Sequence, residues 1–378
     1  MSRRVKRITV GGYKSIEEAE LPLGPLTALV GPNGAGKSNV IEAVELLGRI
    51  ADGDLRMRVG LLGGAEAVLR DGAKGRARIR LRVEAGDGAL DNAYEAVLVP
   101  AAQGELIFER EVVEFHDTAR HGEPLRNEII GRGNRETRLA EAAEEGPPGV
   151  GGAARHTLAI LQGCRVHHFH DTTPGAPVKQ AAYVSDAESL HPDAGNLAAF
   201  LLRLRDEGAP EYRHIVRTVR SVAPFFRDFV LGQDSGGRVR LRWKQFGSDT
   251  VFPADALSDG TLRFICLSTL LLQPKPPELL ALDEPELGLH PFAISVLAEL
   301  LRSATDRSQI LVATQSVTLL DEFDLGELVV VERVDGRTEL RRPDREALVA
   351  WLDDYSLGDL WLKNLLGGRP RPERERHS

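Results

Sequence analysis

The sequence predicts an α/β fold with a mixed central sheet, and three observations along its 378 residues support that prediction. The first is a glycine-rich loop at 31–38, between an apolar stretch at 26–30 and a helix-like stretch at 39–50. The second is an apolar run at 278–282 that ends in two carboxylates, typical of a buried strand in a parallel sheet. The third is a capped helix start at 257–261, which opens another apolar run.

The glycine-rich loop, called the phosphate loop below, fits the pattern G-x-x-x-x-G-K-[ST]. Backbone N–H groups of such a loop close around phosphate oxygens, and the positive end of the following helix points at the same charge. The pattern makes Lys37 the cation for the β- and γ-phosphates and gives the Ser38 hydroxyl a place on Mg²⁺. The expected nucleotide contacts are Asn33, Gly34, Ala35, Gly36, Lys37, Ser38 and Asn39.

Asp283 and Glu284 stand at the tip of the downstream apolar run. In nucleotide-hydrolysing folds a carboxylate pair in this place lies beside the phosphate loop, where Asp283 would hold the Mg²⁺ shell. Glu284 would orient or deprotonate the attacking water. Two solvated acids at a strand end are the alternative, and the phosphate loop upstream favours the catalytic interpretation.

The helix start reads Leu257-Ser258-Asp259-Gly260-Thr261, in which Ser258 or Asp259 is a good N-cap and Gly260 permits close backbone approach. With this segment, the chain resembles the ABC-type ATPases of the SMC and RecF-like class, commonly called AAA family ATPases. The resemblance covers roughly residues 1–335. It is carried by Tyr13-Lys14-Ser15, the phosphate loop, Leu257 to Gly260, Leu282 to Pro291, and Ala313-Thr314-Gln315-Ser316.

The resemblance implies a P-loop NTPase fold: an ABC-type ATPase head with a mixed central sheet, an antiparallel β subdomain and a helical lid. It also implies that two subunits sandwich two ATP molecules, so that Ser258 and Gly260 contact the γ-phosphate from the opposite subunit. Gly288-Leu289-His290 would lie along the dimer interface. Lys14 would approach the phosphates, with a solvated strand lysine as the equally weighted alternative.

At some motif positions this sequence has residues that differ from the family pattern. Asp259 replaces a glycine of the transporter-type pattern L-S-G-G-Q, and Gln315 stands where transporters have histidine. Because glutamine does not titrate near neutral pH, we expect Gln315 to act by hydrogen bonding and turnover to be slow. His170 or Asp171 would take the place of the glutamine that senses the γ-phosphate and Mg²⁺, with a partly buried polar strand end as the alternative.

Composition narrows the class of protein. The overall net charge of −8 does not indicate a nucleic-acid-binding protein. Aromatic residues make up only 5% of the chain, which predicts no stacking platform for single strands. The two cysteines, Cys164 and Cys266, are too few for a disulfide framework. No apolar stretch approaches the ~20 residues of a membrane span, and no apolar segment follows the basic N-terminus. We expect a cytoplasmic protein.

The predicted organisation is a single ABC-type head over residues 1–378. Its expected parts are a phosphate-loop lobe at 1–75, a β subdomain at 76–165 with a mobile loop at about 141–153, and a helical lid at 195–275. They continue with a lobe at 276–345 that carries the carboxylate pair and switch loop, a C-terminal helix at 346–366 and a disordered tail at 367–378.

Two other patterns leave alternatives open. Cys164, His168 and His170 would share one face of a strand, but zinc is disfavoured because no second ligand pair stands out. Two stripes alternate arginine with apolar residues, and such stripes either contact DNA phosphates or form a solvated face, which is the favoured interpretation. The stripes are Arg76, Arg78, Arg80 and Arg82, and Arg238, Arg240, Arg242 and Lys244.

The leading functional hypothesis is Mg-dependent ATP hydrolysis by an ATP-sandwich homodimer, coupled to DNA transactions in repair or anti-phage defence. The alternative is an ATP-gated regulatory subunit of an effector, a nuclease or toxin, that never touches DNA. The ATP-binding subunit of a membrane transporter is disfavoured by Asp259, Gln315 and the Tyr13-Lys14-Ser15 start.

Overall fold

The computed structural model describes residues 4–70, 77–86, 90–117, 126–146 and 150–367. The strands are β1 Val5–Tyr13, β2 Ile16–Pro22, β3 Leu26–Val30, β4 Ile79–Gly86, β5 Leu90–Pro100, β6 Leu106–Asp117, β7 Arg126–Gly131, β8 Cys164–His167, β9 Ala182–Tyr183, β10 Phe226–Phe229, β11 Arg238–Val239, β12 Arg242–Gln245, β13 Val251–Pro253, β14 Leu279–Asp283, β15 Gln309–Thr314, β16 Leu328–Val334 and β17 Arg337–Arg341. The helices are α1 Lys37–Asp52, α2 Leu55–Leu61, α3 Ala65–Val68, α4 Leu139–Glu145, α5 Val150–Gln162, α6 Leu197–Asp206, α7 Pro210–Val222, α8 Asp259–Leu272, α9 Pro291–Ala304, α10 Val317–Leu320, α11 Arg345–Leu352 and α12 Leu357–Leu362.

A six-stranded sheet in the order β17-β16-β3-β15-β14-β8 forms the centre of the molecule. Neighbouring strands of this sheet pair in parallel, apart from the antiparallel pair formed by β16 and the edge strand β17. Parallel strands buried on both faces are continuously apolar, as β3 and β15 are, since all of their residues are buried. This mixed sheet agrees with the predicted α/β fold class.

The alternation of side chains along these strands divides the interior into two cores. Leu280, Leu282 and Val312 face a core shared with the lid helices α6 to α8 and with α9. Leu279 and Leu311 face a second core, shared with α1 and the other large sheet. The central sheet therefore separates the lid from the phosphate-loop helix and the β subdomain.

The second large sheet is antiparallel, in the order β2-β1-β4-β5-β6-β7. Strands β4 to β7 pair as antiparallel neighbours in the region of the predicted β subdomain, and β4 also pairs with β1. β1 in turn pairs with β2, a strand that the sequence analysis did not predict. The lid contributes smaller sheets, β10-β12-β13 and β11-β9. Among the described ranges, no helix is long and apolar enough to cross a membrane.

The prediction of a mobile loop at about 141–153 is wrong for most of these residues, because they are helical. Residues 141–145 belong to α4 and residues 150–153 to α5, while 147–149 lie outside the described residues. The physical reason is burial, because Leu139 and Ala143 of α4, and Ala154 and Ile160 of α5, are buried. Apolar residues at helical spacing outweigh the glycine-rich composition on which the loop was predicted.

The C-terminal region also differs from its prediction. The single helix expected at 346–366 is two helices, α11 and α12, because Ser356 starts α12 with a capping box that closes on Asp359. Of the predicted tail at 367–378, only Gly367 lies within the described residues. The domain bounds themselves stay a prediction.

Candidate active site

The carboxyl ends of four neighbouring parallel strands, β3, β15, β14 and β8, meet at one edge of the central sheet. The phosphate loop follows β3, Gln315 follows β15, Asp283 ends β14, and the segment at 168–170 follows β8. In open α/β sheets, ligands bind in the crevice at the carboxyl ends of the strands. The topology therefore brings the predicted catalytic segments to a single edge, although they are distant in sequence.

The phosphate loop requires glycine at two positions. Gly34 and Gly36 have left-handed φ angles of 78° and 107°. A Cβ atom on Gly36 would lie 2.0 Å from Oγ1 of Thr338 on β17. Ser38 is exposed in the first turn of α1, and Asn33 is exposed at the bend of the loop. The loop thus turns sharply and leaves its outer side open.

Lys37 is held inside the loop. Only 5% of the residue is exposed, and Nζ donates hydrogen bonds to the carbonyl oxygens of Gly31 (2.8 Å) and Pro32 (3.2 Å). Burial lowers the pKa of its ammonium, while the carboxylates of Glu284 and Asp283 act in the opposite direction. The buried cation therefore lies within the electrostatic influence of the predicted catalytic carboxylates.

The two predicted carboxylates differ in their surroundings. Oδ1 of Asp283 is buried and has no hydrogen-bond partner within the described structure. Glu284 adopts a left-handed φ of 44°, its N–H donates to the carbonyl of Ala313 (2.8 Å), and its Oε1 accepts a hydrogen bond from Nε2 of Gln315 (3.0 Å). Backbone strain of this kind clusters at functional sites. The structure thus brings Glu284 and Gln315 into direct contact.

Glu286 supports this region, a role that the sequence analysis missed. It is 7% exposed, its Oε1 accepts a hydrogen bond from Oγ1 of Thr314, and burial raises the pKa of the carboxyl group. The same Thr314 hydroxyl oxygen accepts from the Ser316 N–H (3.0 Å). Glu286 therefore ties the loop after β14 to the turn after β15. The available signal was the third acid in Asp283-Glu284-Pro285-Glu286.

Lys14 lies in the turn between β1 and β2 with a left-handed φ of 47°. Its Nζ forms an ion pair with Glu42 of α1, and its N–H donates to the carbonyl of Val68 (2.9 Å). The ammonium is therefore engaged by a carboxylate on the helix that follows the phosphate loop. The expected phosphate contact would require Lys14 to leave Glu42.

A chain of hydrogen bonds braces the phosphate loop from behind. Asn39 Nδ2 donates to Oγ of Ser15 (2.6 Å), and the Ser15 and Thr338 hydroxyls are 2.7 Å apart. The Thr338 hydroxyl donates to the carbonyl oxygen of Ala35 (2.9 Å). Asn39, predicted as a nucleotide contact, takes part in this support. Thr338 was missed, because nothing in the sequence places β17 beside the loop.

The predicted opposite-subunit motif caps α8. Ser258 is exposed, and its Oγ accepts a hydrogen bond from the Thr261 N–H (3.2 Å). Gly260 lies so close to the loop after β14 that an added Cβ would be 2.4 Å from the Gly288 carbonyl oxygen. The capping role predicted for Ser258 or Asp259 thus falls to Ser258.

Arg263 on α8 links three segments around the site and was not predicted. Its guanidinium donates to the carbonyl oxygens of Phe169 (3.1 Å), His170 (2.8 Å) and Leu287 (2.9 Å). Five N–H donors in a fixed fork suit such a role. The signal was a single arginine at the start of the apolar run of α8.

Only one of the two candidates after β8, His170, lies beside the predicted catalytic carboxylates. His170 lines a small cavity with Asp283 and Glu284. Partial burial of its ring lowers the pKa of His170, whereas the negative charge of Asp283 acts in the opposite direction. The Asp171 carboxylate is exposed and accepts hydrogen bonds from the N–H (3.0 Å) and hydroxyl (2.7 Å) of Thr173. Of the two, His170 is therefore the better placed for the sensing role.

The zinc alternative gains no support from the geometry. Cys164 is buried and its Sγ donates to the Ile160 carbonyl, and His168 lies 3.8 Å from Glu45. Across the described parts of the chain, no group of three or more His, Cys, Asp or Glu side chains is arranged to hold a metal ion.

The first arginine stripe is neutralised by carboxylates. Arg80 pairs with Glu95 (2.7 Å) and Arg82 with Glu114 (2.7 Å), while Arg78 lies 4.0 Å from Glu109. Arg76 lies outside the described residues. These ion pairs favour the solvated face over DNA contact for Arg80 and Arg82, and DNA binding by this stripe stays a prediction.

The second stripe is not one continuous strand. Arg238 belongs to β11, where it lies 3.7 Å from Asp234, whereas Arg242 and Lys244 belong to β12 of another sheet. Arg240 and Arg242 are exposed. The predicted alternation survives, because the intervening residues Val239, Leu241 and Trp243 are buried.

Known proteins resemble this chain in sequence and in fold. A family model described as "AAA domain, putative AbiEii toxin, Type IV TA system" matches residues 26–96 and 169–321, more than half of the chain. An SMC head bound to the C-winged helix domain of ScpA superposes with a TM-score of 0.60 over 89% of this chain and 96% of that one. Their sequences are 16% identical, so this likeness shows the fold.

Two curated relatives match over short segments. The OLD nuclease of Thermus scotoductus (strain ATCC 700910 / SA-01) is 51% identical over 43 residues, 11% of this chain and 8% of that protein. The DNA replication and repair protein RecF of Magnetococcus marinus (strain ATCC BAA-1437 / JCM 17883 / MC-1) is 49% identical over 45 residues, 12% of each chain. The matches therefore cover a small part of either relative.

Proposed function

The chain belongs to this AAA domain family, and on that premise we propose that it binds and hydrolyses ATP at a site completed by a second copy of itself. One observation carries the proposal. The phosphate loop, which follows β3 and holds Lys37 buried, and the pair Asp283-Glu284 at the end of β14 lie at the same edge of the central sheet. A buried cation in a glycine-rich loop and two carboxylates at one sheet edge suit the binding and hydrolysis of a triphosphate.

The residues present fit Mg²⁺. The buried Oδ1 of Asp283 has no hydrogen-bond partner within the described structure, and the Ser38 hydroxyl is exposed in the first turn of α1. Both offer the oxygen ligands that Mg²⁺ prefers. When bound, Mg²⁺ would neutralise charge on the β- and γ-phosphates. These two residues would hold the ion.

The roles of the protein's own groups follow from their contacts. Lys37 is held by two carbonyl oxygens, which keep its side chain inside the loop where phosphate oxygens would arrive. Glu284 is the proposed base for the attacking water, and Gln315 orients it through the 3.0 Å hydrogen bond to Oε1. His170, which lines the same small cavity as Asp283 and Glu284, would respond to the γ-phosphate.

The site needs a second copy because Ser258 and Gly260 lie at the start of α8, where the helix presents its positive end. Next to Gly288, Leu287 is 46% exposed, and Phe292 at the start of α9 is 55% exposed. Exposed apolar side chains flanking a helix start suit an isologous interface, in which each copy offers the same surface. We propose that ATP closes this interface and hydrolysis opens it.

Mixing two inactive variants tests the composite site. Lys37→Ala removes the phosphate loop's cation, and Ser258→Arg obstructs the helix start that the partner needs. Each variant alone should be inactive, but a mixed dimer keeps one intact site, so an equimolar mixture should recover about a quarter of wild-type ATPase activity. Phosphate release at saturating ATP measures the recovery.

Ser235→Arg is the matched control for the added side chain, because Ser235 is exposed in a turn of the lid. It should keep wild-type activity. A mixture as inactive as its two components would contradict the shared site, whereas ATPase activity in Lys37→Ala alone would contradict the catalytic assignment.

We further propose that the ATP cycle is coupled to DNA transactions, in repair or anti-phage defence. The names of the two curated relatives, a nuclease and a DNA repair protein, support this coupling. The alternative, an ATP-gated subunit of an effector, is supported by the toxin–antitoxin wording of the family description. ATPase rates measured alone, with duplex and with single-stranded DNA separate the two, since indifference to nucleic acid favours the gate.

A further inference from the structure

One face of the lid carries arginines without a carboxylate partner within 4 Å among the described residues. Arg213, Arg217 and Arg220 follow one another on α7 at positions i, i+4 and i+7, which lie on the same side of a helix. The opposite side of α7 is buried, through Tyr212, Ile215, Val216 and Val219. The arginine side therefore faces outward.

The strands next to α7 extend this surface. Arg227 of β10 is exposed, and its carbonyl oxygen accepts a hydrogen bond from Nε of Arg220 (2.9 Å). Phe225 is 47% exposed and Phe246 is 55% exposed, and the Phe246 N–H donates to the Phe225 carbonyl (2.9 Å). The lid patch comprises these residues: Arg213, Arg217, Arg220, Phe225, Arg227 and Phe246.

Cation and ring are already in contact within the lid patch. The Arg220 guanidinium lies 5.4 Å from the centroid of the Phe246 ring, a cation–π distance. The neighbouring acid, Asp228, is directed to the buried side of α7, where its Oδ1 accepts a hydrogen bond from the Tyr212 hydroxyl (2.8 Å). With four arginines against this one acid, the lid patch is positively charged, and its two rings are exposed.

The lid patch is positively charged in a chain whose net charge is −8. In the first arginine stripe, by contrast, Arg80 and Arg82 pair with Glu95 and Glu114. The four arginines of the lid patch have no such partner within 4 Å among the described residues, so their clustered charge suits an external anion.

We propose that the lid patch binds single-stranded nucleic acid. The arginines would contact successive phosphates, and the two phenylalanines would stack on bases, as aromatic side chains do in single-strand binding grooves. The low aromatic content of the chain predicted no such platform, but the fold brings the exposed Phe225 and Phe246 together on this surface. A duplex would use only the arginines, since its bases are already stacked. The inference deepens the proposed coupling to DNA and rests on it for its purpose, although binding itself requires no ATP.

Fluorescence anisotropy of a labelled twelve-residue oligo(dT), without nucleotide, tests the proposal. The double variant Arg213→Glu/Arg217→Glu should weaken binding at least about tenfold. It should also make the slope of log K against log salt concentration less negative by about 1.4, because two phosphate contacts are lost. Phe246→Ala should weaken oligo(dT) binding by about fivefold or more and leave duplex binding unchanged.

Arg78→Glu/Arg345→Glu is the matched control, an equal double reversal at two exposed arginines outside the lid patch, and should bind like wild type. Lys37→Ala should also bind like wild type, which separates this proposal from the ATPase. Wild-type affinity in a folded double variant overturns the lid patch, and a Phe246→Ala variant with unchanged oligo(dT) binding overturns base stacking. Equally tight binding of poly-glutamate, lost in the same double variant, would make the ligand an acidic protein.

Discussion

At the scale of single residues, the centre of the site is the contact between Glu284 and Gln315. Glu284 holds a left-handed φ of 44°, a conformation that is unfavourable for a residue with a side chain. Its backbone is fixed by Ala313 and its carboxylate by Gln315. Two constraints on one strained residue fix the direction of the carboxylate, as expected for a base that must orient a water molecule.

Gln315→Ala should therefore lower kcat by about tenfold and change KM for ATP by less than about twofold. The substitution frees the Glu284 carboxylate without touching the phosphate loop, so it removes orientation rather than binding. Steady-state ATPase kinetics measure both parameters. Gln180→Ala, which removes another exposed glutamine amide elsewhere in the chain, is the control for the loss of the side chain. An unchanged kcat would remove Gln315 from the mechanism.

The sequence predicts the site residues that belong to short local motifs, but it does not predict those whose role depends on contacts with distant parts of the chain. The phosphate loop and Asp283-Glu284 are short motifs at strand ends, so their positions follow from the pattern alone. Thr338 and Arg263 act on segments far away in the chain, and no local pattern marks them. The carboxylate partners of the first arginine stripe could not be predicted for the same reason, since Glu95 and Glu114 come from other strands.

At the scale of elements, the start of α8 and the loop after β14 behave as one unit. Gly260 and Gly288 bring the two backbones together, and Arg263 fastens α8 to the Leu287 carbonyl (2.9 Å). The same arginine holds the segment after β8, beside Asp283. A shift of α8 caused by a partner's nucleotide would therefore reach the catalytic loop directly.

Gly260→Ala tests this coupling. The new methyl group would lie 2.4 Å from the Gly288 carbonyl oxygen, so α8 and the loop must separate. We expect a loss of about 1–3 kcal/mol in the free energy of unfolding, typical of overpacking, and a fall in ATPase activity. Urea denaturation and phosphate release measure the two effects.

The control for this substitution is Gly60→Ala on α2, where an added Cβ meets nothing within 4 Å. It should stabilise the protein by about 0.5–1 kcal/mol, since alanine favours the helix, and leave activity unchanged. If both alanines had the same effect, close approach at Gly260 would have no special role.

At the scale of the whole molecule, two cores on opposite faces of the central sheet hold the catalytic segments from both sides. The lid helices α6 to α8 pack on one face together with α9, and the phosphate-loop helix and antiparallel sheet pack on the other. The site lies at the sheet edge where the two halves meet. A second copy bound at this edge would contact α8 from one half and the phosphate loop from the other, which makes assembly sensitive to nucleotide.

Glu284→Gln should trap the assembled state. The amide keeps the size of the side chain and its contact with Gln315 but cannot take a proton from water, so ATP should bind without being hydrolysed. We expect light scattering to show a dimer with ATP and Mg²⁺, a monomer without nucleotide, and a monomer after EDTA removes the metal. Adding Ser258→Arg to Glu284→Gln should restore the monomer with ATP present, because the helix start of α8 is then obstructed. A Glu284→Gln protein that binds ATP yet stays monomeric at saturating nucleotide would mean that hydrolysis, if it occurs, is completed within one chain.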